Sequence, residues 1–264
     1  MRLTRYAAVA GEPLPAWPDW VQGGQRRRLD ALNRLALAAV DRVLAQGSAF
    51  DPETAVVVAN SYGSVDSTLR FITSISNFGD QGASPTPFTT SVHNSTAGII
   101  GELLKLHGPC TTLSQGGTGG LSALRWAHLM LAARRAPAVL VVVGDKHVAW
   151  SRDIVGRLSD SPWPIGDGAA ACLIAPDTAN GREIRLGRHE SARCLDGGAL
   201  LEPDERTLAD LARGQARQRA PDLLGSWWPS CLLAALPLDD PSPLQLREIE
   251  HQHVLEAWVG PAAT

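Results

Sequence analysis

The sequence has no long apolar run, no paired cysteines and almost no clustered positive charge. No apolar stretch reaches about 18 residues, the length that crosses a bilayer as a helix, so no membrane span is expected. The two strongest runs, Ala136 to Val143 and Ala169 to Ala175, have strand length. Arg26, Arg27 and Arg28 form the only basic run, read as the solvated start of a helix or, alternatively, a docking patch for an acidic partner, and the formal net charge is −3. The phosphate-tracking patch of a nucleic-acid binder is therefore missing. Cys110, Cys172, Cys194 and Cys231 occur without a CxxC or CxxH pair and without a secretory signal ahead of them. That usage excludes a zinc ribbon and points to the reducing cytoplasm. His251 and His253 lie among acids but have no second ligand cluster, so no metal site is expected. There is no internal repeat and no low-complexity tract.

What is present is an α/β texture, in a length of 264 residues that suits one large domain or a domain with an appendage. Met1 to Gln25, with Trp17 and Trp20 among prolines, reads as an irregular cap on the core. Arg27 to Gln46 repeats apolar residues at helical spacing, and Gly47 is placed to end that helix. Thr54 to Ala59 is apolar without alternation, the pattern of a strand covered on both faces. Asn60 to Ser64 is a turn whose Ser64 caps a helix through Val65, Leu69, Ile72 and Ile75. Asn77 to Thr86 reads as a loop. PFTTSVHNSTAG follows, with Asn94 or Ser95 capping a helix from Thr96 to His107 and His93 at the junction, either satisfying local backbone groups or lining a ligand channel.

The chain is organised around Gly108 to Leu124, GPCTTLSQGGTGGLSAL. A short strand, Cys110 to Ser114, runs into Gly116, Gly117, Thr118, Gly119 and Gly120, then into a helix to Arg134 whose stripe is Leu121, Leu124, His128 and Leu131. Cys110 is expected to face the core, and Trp126 and Met130 suggest a helix covered on more than one side. Such an elbow sets a turn residue against unpaired helix N–H groups, where an anion or oxyanion is stabilised. The next strand, Pro137 to Val143, ends at Gly144, Asp145, Lys146 and His147. Residues just past a strand's carboxyl end line ligand crevices, which makes Asp145 and His147 site candidates. Trp163 to Asp167 leads into the strand Ala169 to Ala175. Beyond Asn180 follow a strand from Glu183 to Leu186, a charged helix around Asp204 to Arg219, an apolar segment from Leu223 to Leu236, and helical spacing in part from Leu244 to Trp258.

Three chemistries could use this elbow. A dinucleotide fingerprint from Gly117 meets Ser122 where its third glycine belongs, and a P-loop lacks the Gly-Lys-Ser/Thr. A hydrolase elbow is nearer, because Thr112 to Gly116 has the form small-x-Ser-x-Gly, with Asp145 or Asp167 and then His189 available as partners of Ser114. Thr112 replaces the first glycine of that motif.

The third reading is a resemblance covering roughly Thr54 to Ala175. Gly108 and Pro109, the strand behind them, Leu121 and Ala123 at the helix start, Ala138 to Gly144, and Gly166-Asp167-Gly168-Ala169 resemble, in order and spacing, the β-ketoacyl synthases of the thiolase fold. PFTTSVHNSTAG and ANSYGSVDSTLRF are similar to the short β-ketoacyl synthase N-terminal-like and chain-length-factor-like proteins. The resemblance implies that the nucleophilic cysteine of a condensing enzyme falls on Gly117, which has no side chain to carry a thioester. The HGTGT-like and GFGG-like segments of the family's second half have no counterpart after Asn180.

The resemblance thus implies a thiolase-like half, a mixed sheet with helices on both faces, over residues 1–180. A divergent C-terminal segment, 181–264, packs on it, with Leu223 to Leu236 as the cover. The implied role is a non-condensing partner in fatty acid, aryl polyene or polyketide assembly, binding a ketosynthase subunit, an acyl carrier protein or both, as a homo- or hetero-oligomer. Gly116, Gly117, Thr118 and Gly119 are then a degenerate elbow, and His93, Asn94, Asp145 and His147 channel or interface residues. No cofactor is expected beyond a carrier's phosphopantetheine arm. The alternative is an acyl hydrolase or acyltransferase with Ser114 as nucleophile.

Overall fold

The computed structural model describes residues 1–116, 119–158, 166–187, 190–191, 244–250 and 253–260. Gly117, Thr118, His189, Cys194, Cys231, His251, the helix expected around 204–219 and the apolar segment at 223–236 lie outside the described residues. The elements in order are β1 (Arg2–Ala10), α1 (Gly23–Arg26), α2 (Ala31–Leu44), β2 (Ala55–Asn60), α3 (Val65–Phe78), a 3-10 turn (Asp80–Gly82), α4 (Pro85–Ser91) and α5 (Ser95–Leu104). They continue with β3 (Cys110–Ser114), α6 (Gly119–Ala132), β4 (Val139–Asp145), α7 (Ala149–Leu158), β5 (Gly168–Ala175), β6 (Arg182–Leu186), β7 (Glu190–Ser191), β8 (Leu244–Glu250) and β9 (His253–Val259).

The described strands join one mixed sheet in the order β3-β2-β4-β5-β1-β6-β9-β7, with β8 on β9. β3, β2 and β4 are parallel, and β5 and β1 add antiparallel. The unbroken apolar runs of β2 and β4 follow from burial on both faces. Val57, Ala59, Val141 and Val143 pack with Leu121, Leu124 and Ala127 of α6. Val56, Val58, Leu140 and Val142 pack on the opposite face with Leu35, Ala39 and Val43 of α2 and Ile100 of α5. The expected architecture, a mixed sheet with helices on both faces, is the one found.

Five expectations need correction. The first ten residues are not irregular: β1 lies between β5 and β6 inside the sheet. Its register shifts between Leu3 and Arg5, so Leu3 joins the α6 side while Ala7 and Val9 join the α2 side. That bulge erases the alternation by which a strand is recognised. The cap reading holds for the next stretch, where Trp20 Nε1 donates to Asp41 at 2.7 Å and the Arg34 guanidinium lies over the Trp17 ring.

The loop expected at 77–86 contains the 3-10 turn and the start of α4, which the proline at its first position favours. Leu244 to Trp258 is a β-hairpin, β8 with β9, and not a helix. Leu255, Ala257 and Val259 alternate into the core at a period of two. Finally, α6 is covered along one side only. Leu121, Leu124, Ala127 and Met130 are buried, whereas His128 is exposed and Trp126 keeps 43% of its surface open. Cys110 is exposed at the sheet edge rather than facing the core.

α2 begins with a reciprocal cap, since Asn33 N donates to Asp30 Oδ1 and Asp30 N to Asn33 Oδ1. Asp30 is buried, and burial raises its carboxyl against the opposing pull of its hydrogen bonds. Ser67 Oγ donates to Asp30 Oδ2 at 2.7 Å, and Thr90 Oγ1 to Ser67 Oγ at 2.9 Å. Ser67 is the one buried residue of α3. The α3 and α4 pair is therefore held to the body by a polar seam, which leaves Ile72, Phe78 and Phe88 turned outward.

Candidate functional site

The parallel strands β2, β3 and β4 end side by side, and their exit turns form the site. Ser114, the last residue of β3, lies opposite Asn60, the last residue of β2. Gln115 N then donates to Asn60 O and Gly116 N to Ser61 O, with Gly116 at φ +50° turning the chain toward α6. The N–H groups of Gln115 and Gly116 are thus engaged within the turn itself.

Ser114 has different partners from those the hydrolase pattern expects. Its hydroxyl lies 2.5 Å from Asn60 Oδ1 and 3.0 Å from His93 Nδ1. Asp145 is taken by Ser61, whose N–H and hydroxyl donate to its two carboxylate oxygens at 2.7 and 2.8 Å. Asp167 is taken by a cationic cluster at the ends of β4 and β5. Lys146 Nζ donates to Oδ2, Arg152 Nη2 to the same oxygen at 2.7 Å, and His147 N to Oδ1 at 2.8 Å. Burial alone would raise the Asp167 carboxyl, but the His147 and Lys146 bonds outweigh it and hold it at about 2.

His147 is buried with Nδ1 3.1 Å from the carbonyl of Gly166. A carbonyl only accepts, so Nδ1 bears a hydrogen, and Nε2 has no hydrogen-bond partner among the described residues. Tyr62 meets this ring edge-on, with centroids 6.4 Å apart. The arrangement braces the crevice without placing His147 on Ser114.

His93 is exposed and sits over the turn after β2, so close that a Cβ on Gly63 would come 2.1 Å from Nδ1. Gly63 has φ +73°, a conformation suited to glycine. Asn94 holds the first capping position of α5 without a side-chain cap bond. The site thus joins Asn60, Gly63, His93 and Ser114 on one side, and Ser61, Asp145, His147 and Asp167 on the other. Asn60 was missed as a site residue in the sequence, where it read only as the start of a turn. Its place at the carboxyl end of a strand is the signal that singled out Asp145.

The model of the β-ketoacyl synthase N-terminal domain matches residues 4–151, and the chain belongs to this family. A comparison with curated proteins finds no match. Among solved structures, the ishigamide ketosynthase/chain length factor is similar at 18% identity and a TM-score of 0.70, over 99% of both chains. A type II PKS acyl-carrier protein in complex with its ketosynthase bound to the hexaketide aligns at 12% identity and a TM-score of 0.71, over 99% of each chain. A ketosynthase in complex with its chain length factor from Xenorhabdus doucetiae aligns at 17% identity and a TM-score of 0.56, over 97% of this chain and 99% of that one. At these identities the likeness is one of fold. Among the described residues no helix is long and apolar enough to cross a membrane.

Proposed function

We propose that this chain is a non-condensing, chain-length-factor-like partner in fatty acid, aryl polyene or polyketide assembly, binding a ketosynthase, an acyl carrier protein or both in the cytoplasm. What carries the reading is that the chain belongs to the β-ketoacyl synthase N-terminal family, while the resemblance puts the family's nucleophilic cysteine on Gly117. Residues 1–180 act as the ketosynthase-like domain, with 181–264 packed on it. The surface supports a partner. β3 ends the strand order with its outer side unpaired among the described residues, and α3 and α4 expose Ile72, Phe78 and Phe88. Open edges and apolar patches of this kind mark interfaces.

The test is co-purification from the native host with mass spectrometry of what stays bound. A ketosynthase or carrier protein in stoichiometric amount is the expected result, and failure with both removes the proposal.

A second reading, an acyl hydrolase or acyltransferase on Ser114, draws on the 3.0 Å separation from His93. It requires the hydroxyl to turn from Asn60 to the imidazole before the ring can act as base. Covalent mass from a fluorophosphonate or activated acyl thioester, lost in Ser114→Ala, is its signature. The partner reading expects no adduct.

A further inference from the structure

The backbone dictates the direction of every hydrogen bond around His93. Gly63 N–H donates to Asn60 Oδ1 at 2.7 Å, which fixes the oxygen end of that amide. Ser114 Oγ, 2.5 Å from the same oxygen, must donate its single proton there, because two acceptors do not bond. The serine oxygen then offers only lone pairs to His93 Nδ1 at 3.0 Å, so that nitrogen bears a hydrogen. In the neutral ring Nε2 is left as an outward acceptor, and the ring makes no other hydrogen bond among the described residues.

The surface around this acceptor is unusual in charge. Residues 60–101 contain three formally charged side chains, Asp66, Arg70 and Asp80. Tyr62, beside Gly63 in sequence, and Val92, beside His93, are each 45% exposed; on α4 and α3, Phe88 is 52% and Phe78 72% exposed. Aromatic enrichment with charge depletion is the composition of an interface core. The face adjoins α5 and the open edge of β3. Apolar attraction holds such faces together but does not fix their register, which a directional hydrogen bond does.

We propose that His93 Nε2 is the register-setting acceptor of this docking face, receiving an N–H or O–H donor from the ketosynthase chain that covers α3 and α4. Ser114 and Asn60 are positioning residues that hold its tautomer. The inference rests on the partner reading above. It assigns His93 to recognition, and Ser114 to support of His93 rather than to nucleophilic attack.

Two measurements test it. Long-range ¹⁵N–¹H spectra of the full chain at neutral pH should show His93 with Nδ1 protonated and Nε2 bare, and Ser114→Ala should shift the ring toward the other tautomer. A wild-type ring protonated on Nε2 alone overturns the proposal. Titration with the host ketosynthase should then give binding about tenfold weaker for His93→Phe, and within about twofold of wild type for His93→Gln, whose carbonyl reaches the Nε2 position. Equal binding by His93→Phe overturns this inference and leaves the partner reading standing. No binding by the wild type removes both. If the chain alone forms a dimer that His93→Phe dissociates, the occupant is a second copy and the ketosynthase assignment is wrong.

Discussion

Ser61 holds Asp145 with two bonds, its N–H on one carboxylate oxygen and its hydroxyl on the other, although 84 residues separate them. This clasp ties the exit of β2 to the end of β4 and keeps the two turns at a fixed distance. Asp145→Ala removes both acceptors and strands a buried N–H, so a loss of about 2–3 kcal/mol is expected. Asp145→Asn, which keeps one acceptor, should lose less. Urea unfolding of the two variants gives the comparison.

Asp167 makes the fold sensitive to acid. Its carboxyl sits at about 2 in the folded chain against an ordinary 3.8, so the folded state binds the proton more weakly than the unfolded one. The stabilisation, about 2 kcal/mol, is fully present above about pH 4 and is lost as the pH falls toward 2. Urea midpoints at pH 6 and below pH 3 should show this drop in the wild type. Asp167→Asn should start less stable and fall less steeply.

Gly63→Ala should be costly at two levels. The new methyl carbon would lie 2.1 Å from the His93 ring, on a backbone at φ +73°. We expect a loss of about 1–3 kcal/mol and a displaced His93. Thermal unfolding and the His93 ring resonances report the two effects separately.

The thiols should divide sharply under native alkylation. Burial pushes the Cys172 thiol up to about 12, and the side chain is buried in the sheet. Cys110 is exposed at the edge strand, although partial burial of its sulfur also raises it. Peptide mapping after N-ethylmaleimide should find Cys110 modified and Cys172 protected until the protein unfolds.

Gly117→Cys should create an alkylatable thiol without condensing activity, since the family's second-half histidine segment has no counterpart in the sequence. Full condensation by this variant alone would overturn the non-condensing role.

The parts of the fold most legible in the sequence are those that one local pattern determines. β2, β4 and β5 are apolar throughout because they are buried on both faces, and α2 keeps its helical period from Leu32 to Val43. β1 was hidden by its bulge. β9 was harder to read because, besides its hairpin with β8, it pairs with the distant β6. The site divides in the same way. Ser114, His93, Asp145 and His147 each stood out by position. Their partnerships did not, because His93 reaches Ser114 from a separate turn and Asp145 turns to Ser61 instead.

The place of β1 has a consequence for how the chain is made. Its partner across the sheet is β5, with Ala10 opposite Gly168 and Arg2 opposite Ala175. On the ribosome the first strand therefore emerges long before the strand that completes it. β2, β3 and β4, which pair with one another, can assemble in the interval. Refolding is expected to be slow for the same reason, because the closing contact joins segments so distant in sequence.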